Sequence, residues 1–303
     1  MAGAIEEMSR VLQEILDTKE SLADLLCGRP VSRDLGFPLS FDTGTVIEIS
    51  GEPKSGKTQL LMYLVLRAVL PQDWRGLALG QGMAVVIVDT DGSFRSHQLV
   101  HRMTQFVQAE FASRGKSAIP PAATDVAAMV MQAASAVFVF RPESVQSAME
   151  VVDDLPKLLA NTTSNAKKVA WIILDSLGAF FWQHRMHRGT TKPVGSLVAS
   201  TLCMSRVFAC GVIATNPFLF ETQDEFVQGW SQHVDTRLHL TRSPVRPFLA
   251  EMTVEDALRD ARKRMEIVDR GEFAMQVSSK MQHRALLKMF VTQNAIDVEV
   301  SGR

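Results

Sequence analysis

The run Gly51-Glu52-Pro53-Lys54-Ser55-Gly56-Lys57-Thr58 fits GxxxxGK[ST], and it stands between the apolar run Val46–Ile49 and a helix-like run from Leu60 to Leu70. A glycine-containing turn that joins a strand to a helix N-terminus is a phosphate cradle, and few folds can hold one. Its glycines let backbone N–H groups close around phosphate oxygens, and the helix N-terminus adds its positive dipole end. Lys57 would reach the β and γ oxygens and the Thr58 hydroxyl would ligate Mg²⁺. The expected ligands are ATP and magnesium, held by Gly51, Glu52, Pro53, Lys54, Ser55, Gly56, Lys57 and Thr58.

Such a loop needs a carboxylate at the end of a later strand to hold the hydrated magnesium. Trp171-Ile172-Ile173-Leu174-Asp175 supplies an apolar strand that ends in an acid, so Asp175 is the expected partner, through water. An aspartate that merely caps the following turn would look the same. The run Val86-Ile87-Val88-Asp89-Thr90-Asp91 also ends in acids. Asp91 is the candidate general base for orienting an attacking water.

The rest of the chain repeats the strand, turn and helix alternation. Strands are expected at Val85–Val88, Ala136–Phe140, Val169–Leu174, Gly211–Thr215 and Arg237–Thr241, with helices at 94–112, 143–160 and 195–209. Nearly continuous apolar runs are what strands buried on both faces require, and the alternation predicts parallel strands with crossover helices. Residues 71–82 and 113–124 read as loops. After Pro244 and Pro247 a charged segment leads into Met265–Val268 and Phe273–Val277, which flank Asp269-Arg270-Gly271 and read as a β-hairpin. Leu286–Thr292 and Ile296–Val300 would complete an antiparallel extension. Residues 4–27 carry apolar positions three, four and seven apart, the spacing of one or two amphipathic helices.

Charge limits the partners this chain could hold by itself. With 32 basic and 33 acidic residues the formal charge is −1, so nucleic-acid contact must be local and there is no basic field for an anionic membrane. Three cysteines, none in a CxxC pair, give no disulfide framework and no metal-ligand spacing. The apolar stretches are broken by Arg67, Gln132 or Asp175 before they reach membrane-spanning length, and no secretory leader pattern opens the chain.

In order along the chain stand the phosphate loop, Asp89-Thr90-Asp91-Gly92-Ser93-Phe94-Arg95, Leu174-Asp175-Ser176, Ala214-Thr215-Asn216 and Thr236-Arg237-Leu238-His239-Leu240. This succession resembles the core motifs of RecA-type recombinases. The stretch Ile172–Trp182, with Trp230-Ser231-Gln232-His233 and Phe273–Val300, resembles one short subgroup of eukaryotic recombinase paralogues. The resemblance implies an α/β fold: a RecA-like P-loop ATPase core with a mostly parallel sheet, flanking helices and a C-terminal antiparallel β extension. Residues 1–44 would form a short N-terminal helical segment and linker, and 45–303 the core, with a poorly matched insert at about 244–270.

The same resemblance assigns further residues. Asn216 would sit where the family's sensor amide reads the γ-phosphate. In recombinases a glutamate follows the Asp-Thr pair as catalytic base, whereas this chain has the shorter Asp91, which implies slow or partner-dependent hydrolysis. The first DNA-binding loop would fall at His184–Lys192, with Arg185, His187, Arg188 and Lys192 on phosphates and Phe181 and Trp182 available for stacking. A solvated charged loop reads the same way. The second loop, Pro217–Gly229, carries Glu221, Asp224 and Glu225 and no Lys or Arg, so it would repel DNA. A protomer-linking phenylalanine motif would fall at Phe37-Pro38-Leu39-Ser40, without the alanine that the family pattern wants. No small helical DNA-binding domain is expected before Thr45.

The resemblance implies a nuclear assembly subunit in homologous-recombination repair. It would dock on other recombinase paralogues in a hetero-oligomeric complex, assist a recombinase filament, and meet DNA directly or through partners. The alternative is an autonomous DNA-dependent ATPase that forms its own filament. A small-molecule kinase would need the arginine-rich 259–270 segment as a lid.

Overall fold

The computed structural model describes residues 33–34, 40–41, 44–113, 121–162, 168–181, 192–216, 225–242, 252–280, 284–291 and 296–300. A two-stranded antiparallel ribbon, β1 (Arg33–Asp34) and β2 (Ser40–Phe41), precedes the main sheet. The expected amphipathic helices at 4–27 and residues 37–39 of the linking motif lie outside the described residues.

The main strands are β3 (Val46–Gly51), β4 (Ala84–Asp89), β5 (Val137–Phe140), β6 (Val169–Asp175), β7 (Gly211–Asn216), β8 (Thr236–Arg242), β9 (Glu272–Ser279), β10 (Arg284–Val291) and β11 (Ile296–Val300). They form one nine-stranded sheet in the order β11-β10-β9-β8-β3-β7-β6-β4-β5. Strands β8 to β5 in that order pair in parallel, and β9, β10 and β11 continue the sheet antiparallel. The expected architecture is therefore the observed one.

Around the sheet stand α1 (Lys57–Val69), α2 (Ser96–Ser113), α3 (Ala123–Ala134), α4 (Val145–Asp153), α5 (Leu155–Thr162), α6 (Lys192–Val207), α7 (Glu225–His233) and α8 (Val254–Arg270). On one face, Ile47, Ile49, Val85, Ile87 and Ile173 pack against α1, α2 and α3 through Leu60, Leu64, Met103 and Val130. On the other, Val88, Leu174, Val212 and Ala214 meet Val145, Leu197, Val198 and Trp230. Fully buried Trp171 comes so close to Gly211 that a Cβ there would lie 2.1 Å from the indole ring. Only glycine fits at that start of β7. Glu48, buried on β3, accepts hydrogen bonds from Trp230 Nε1 at 2.5 Å and Arg237 Nε at 2.6 Å, which anchors α7 to the sheet.

Five sequence readings are corrected. The expected loop 113–124 gives way at Ala123 to α3, whose buried Val126, Met129, Val130 and Ala133 recur at helical spacing. The single helix expected at 143–160 is two helices that meet at Asp154, with Pro156 in the first turn of the second, where its missing N–H costs nothing.

Met265–Val268 is not a hairpin strand: it lies in α8. Val254, Leu258, Ala261 and Met265 repeat at four, three and four residues, Thr253 Oγ1 accepts from Asp256 N at 3.2 Å as a cap, and Gly271 at φ +54° ends the helix. The hairpin is instead β9 with β10. Finally, residues 225–229 of the expected second loop belong to α7, and Lys192 opens α6.

Candidate nucleotide site

Parallel strands in register bring their carboxyl ends to one edge, where ligands of such sheets bind. Here Asp89 pairs across from Asp175, Leu174 from Ala214, and Ser50 from Asn216. The phosphate loop leaves β3 at that edge and turns into α1. Gly51 at φ +147° passes so near β8 that a Cβ would lie 2.3 Å from the Leu240 carbonyl oxygen. Gly56, at φ +90°, is the residue before α1, and Met289 and Phe273 stand 3.1 and 3.3 Å from the place of its absent Cβ. Both positions need glycine for conformation and space.

Lys57 Nζ donates to the carbonyls of Gly51 and Glu52, at 2.8 Å each. Burial lowers the pKa of this ammonium, while Asp175 and Asp91 pull it back up. Ser55 Oγ is buried with no hydrogen-bond partner, an orphaned polar atom inside the loop.

Asp91 and Asp175, whose charges act on Lys57, cluster with Asp89, one oxygen from each of the three lying within 4.8 Å of the others. Asp175 is buried at the end of β6 and accepts from Thr215 Oγ1 at 2.5 Å and Ser93 Oγ at 3.5 Å. Burial pushes its pKa up to about 6; the Thr215 bond opposes this, and Asp91 and Asp89 add to it. Asp91 is exposed on the loop after β4, where its Oδ1 accepts from Ser93 N at 2.9 Å. Asn216 is buried at the end of β7.

The orphaned Ser55 hydroxyl, the two glycine positions at positive φ and an ammonium near Asp91 and Asp175 fit a phosphate chain with a divalent cation. Gly51–Thr58 would wrap the phosphates, and Thr58 and Asp175 would hold the cation, the latter through water. Thr215, Ser93 and Arg141, which the sequence reading left out, also take part in this edge. Ser93 and Thr215 stand inside quoted motifs. Arg141 carried no signal beyond following an apolar run.

Among the expected DNA contacts, Arg185, His187 and Arg188 lie outside the described residues. Lys192 is exposed. Phe181 is fully buried in the core, so it is not free to stack on a base, a correction to the expected loop.

A glycine-rich loop at the carboxyl edge of a six-stranded parallel array, extended by antiparallel strands, defines a RecA-like fold. The Rad51 family profile matches residues 34–217, and the chain belongs to that family. Members of it bind ATP. The chain is 27% identical over 51% of its length to a DNA repair and recombination protein RadA of Methanocorpusculum labreanum, and 43% of that protein is covered. It is 26% identical over 47% of its length to a DNA repair protein XRCC2 homolog of Arabidopsis thaliana, 43% of which is covered. To a DNA repair protein RAD51 homolog 2 of the same plant it is 22% identical over 69% of its length, with 48% covered. The chain thus spans about half the length of the relatives it matches, and it resembles a recombinase paralogue of the XRCC2 kind.

Proposed function

We propose that this chain is an ATP·Mg²⁺-binding recombinase paralogue that acts as an assembly subunit in homologous-recombination repair of DNA double-strand breaks. It docks on other paralogues in a nuclear hetero-oligomeric complex and assists loading of a recombinase filament on DNA. The observation that carries the nucleotide part is Lys57, held at the mouth of a glycine loop opposite Asp91 and Asp175. Two carbonyls hold the ammonium in place until anionic oxygens replace them. Thr58 and Asp175 then hold the cation, and Asn216, on the strand next to that of Asp175 along the same edge, is the sensor amide.

Asp91 is the one acid of the cluster exposed to solvent, as a base that orients water must be. Its reach is one methylene short of a glutamate, and a displacement of about 1 Å costs on the order of a hundredfold in rate. Hydrolysis is accordingly slow, and binding rather than turnover is the nucleotide's role. Titration with a fluorescent ATP analogue tests the site. Lys57→Ala removes the β/γ contact without touching the core, so affinity falls at least tenfold while the melting curve is kept. An unchanged titration in that variant sinks the assignment.

A further inference from the structure

Asp89 differs from its two neighbours in having its own cation. Its side chain is fully buried, and its Oδ2 accepts from Arg141 Nε at 3.0 Å. The same oxygen accepts from Phe94 N at 3.3 Å, and Oδ1 accepts from Ser93 N at 3.0 Å. Arg141 Nη2 also donates to the Phe94 carbonyl at 2.9 Å. The guanidinium stands at the end of edge strand β5 and grips both ends of the turn that runs from Asp89 to Phe94. Between those ends lie Asp91 and Ser93, the latter reaching Asp175.

We infer that Arg141 is a positioning residue for the nucleotide site: it pairs with Asp89, withdraws that carboxylate from the cation's ligands, and locks the 89–94 turn so that Asp91 and Ser93 face Asp175. Three bare carboxylates within 4.8 Å of one another would repel each other and compete for one ion. Pairing one of them with a guanidinium leaves Asp175 for the cation's water and Asp91 for the attacking water. The forked donor geometry is needed because one group must serve a carboxylate and a carbonyl together. The contacts of Arg141 are to Asp89 and the Phe94 carbonyl, so its effect passes through the turn. The inference rests on the nucleotide reading above.

The test uses the full chain with Arg141→Gln, Arg141→Lys and the charge-balanced double variant Asp89→Asn with Arg141→Gln. Two readouts are taken: hydrogen exchange of the peptide that contains Ser93 and Phe94, and fluorescent ATP analogue titration in EDTA and across a Mg²⁺ series. Partners that orient a metal's ligands are worth 10–100-fold in metal affinity, so Arg141→Gln raises the Mg²⁺ needed for half-maximal tight binding about tenfold. Affinity in EDTA stays within about twofold, because the phosphate loop is untouched. Exchange of the 93–94 amides quickens, and Arg141→Lys recovers part of the Mg²⁺ effect.

If Arg141→Gln does not fold, the double variant removes the unpaired buried charge while the turn still lacks its clamp, so exchange of the 93–94 amides quickens and the Mg²⁺ requirement rises, by less than in Arg141→Gln. A Mg²⁺ series matching the unmodified chain overturns the inference while the nucleotide site stands. Equal loss in EDTA and in Mg²⁺ also overturns it, since Arg141 would then only hold the fold. An unmodified chain that binds no analogue sinks the nucleotide reading and this inference with it.

Discussion

At Asp175 the sheet edge places a carboxyl where ionisation is costly. Its pKa rises from 3.8 to about 6 because burial opposes charge, and Asp91 and Asp89 oppose it further. The folded carboxyl thus binds its proton more tightly than the unfolded one. By linkage the cost is absent below the unfolded value, grows as pH rises from about 4 to 6, and is complete above that. Asp175→Asn keeps an oxygen for Thr215 and removes the charge. In the ligand-free chain it raises the unfolding free energy at pH 7 by about 3 kcal/mol, from roughly two pK units. The gain fades towards pH 4. Urea melts of both proteins at pH 7 and at pH 4.5 check this, and no gain at either value would mean that Asp175 ionises in the fold as freely as in the unfolded chain. The same variant gives up the water-held cation, so stability and Mg²⁺ binding move in opposite directions.

At the scale of elements, the phosphate loop rests on the antiparallel extension. Met289 of β10 and Phe273 of β9 lie directly behind Gly56, and Met289 is fully buried. Met289→Ala opens a cavity there, at a cost of about 2–5 kcal/mol, and loosens the loop so that nucleotide affinity falls as well. Met131, 61% exposed on α3, is the control: its replacement by Ala stays within about 0.5 kcal/mol. Chemical melts and analogue titrations of the two variants decide the matter, and intact nucleotide affinity in Met289→Ala would separate the extension from the site.

The sequence disclosed this extension as strands without disclosing what it supports, because strand order is a tertiary fact. The parallel strands were legible since β3, β4, β6 and β7 are mostly apolar, with Glu48 and Ser50 the polar exceptions inside β3, and the glycine loop and Asp175 could be placed at strand ends because the motif ties them there. Helix α8 was misread because Met265-Glu266-Ile267-Val268 alternates and Asp269-Arg270-Gly271 resembles a tight turn; the helical repeat shows only when read from Val254. Arg141 was invisible for a similar reason. Nothing near it in sequence says that β5 lies beside β4 and hence beside Asp89.

For the whole molecule the question is whether the chain extends a filament or sits within a defined complex. Filament growth on DNA draws its affinity from Lys and Arg that release counterions, and the balance of 32 basic and 33 acidic residues supplies no general field of that kind. The segment 217–229, where a recombinase would place its second DNA contact, has three acids and no base. Phe181, an aromatic that could have stacked on bases near the first, is committed to the core. Under the proposed function, a chain with this charge pattern would gain little from lining up copies of itself along DNA, and a partner would bring it there. Light scattering on size-exclusion fractions, with the chain alone and mixed with a recombinase paralogue, with and without ATP·Mg²⁺, tests this directly. The expected result is a monomer alone in either condition and a discrete complex with the paralogue. Its interface should bury more than about 1,000 Å², the size that stable recognition needs. Growth into long homo-oligomers on addition of ATP would instead mean that self-association surfaces outweigh the acidic loop, and the autonomous filament-forming ATPase would become the better account of the fold.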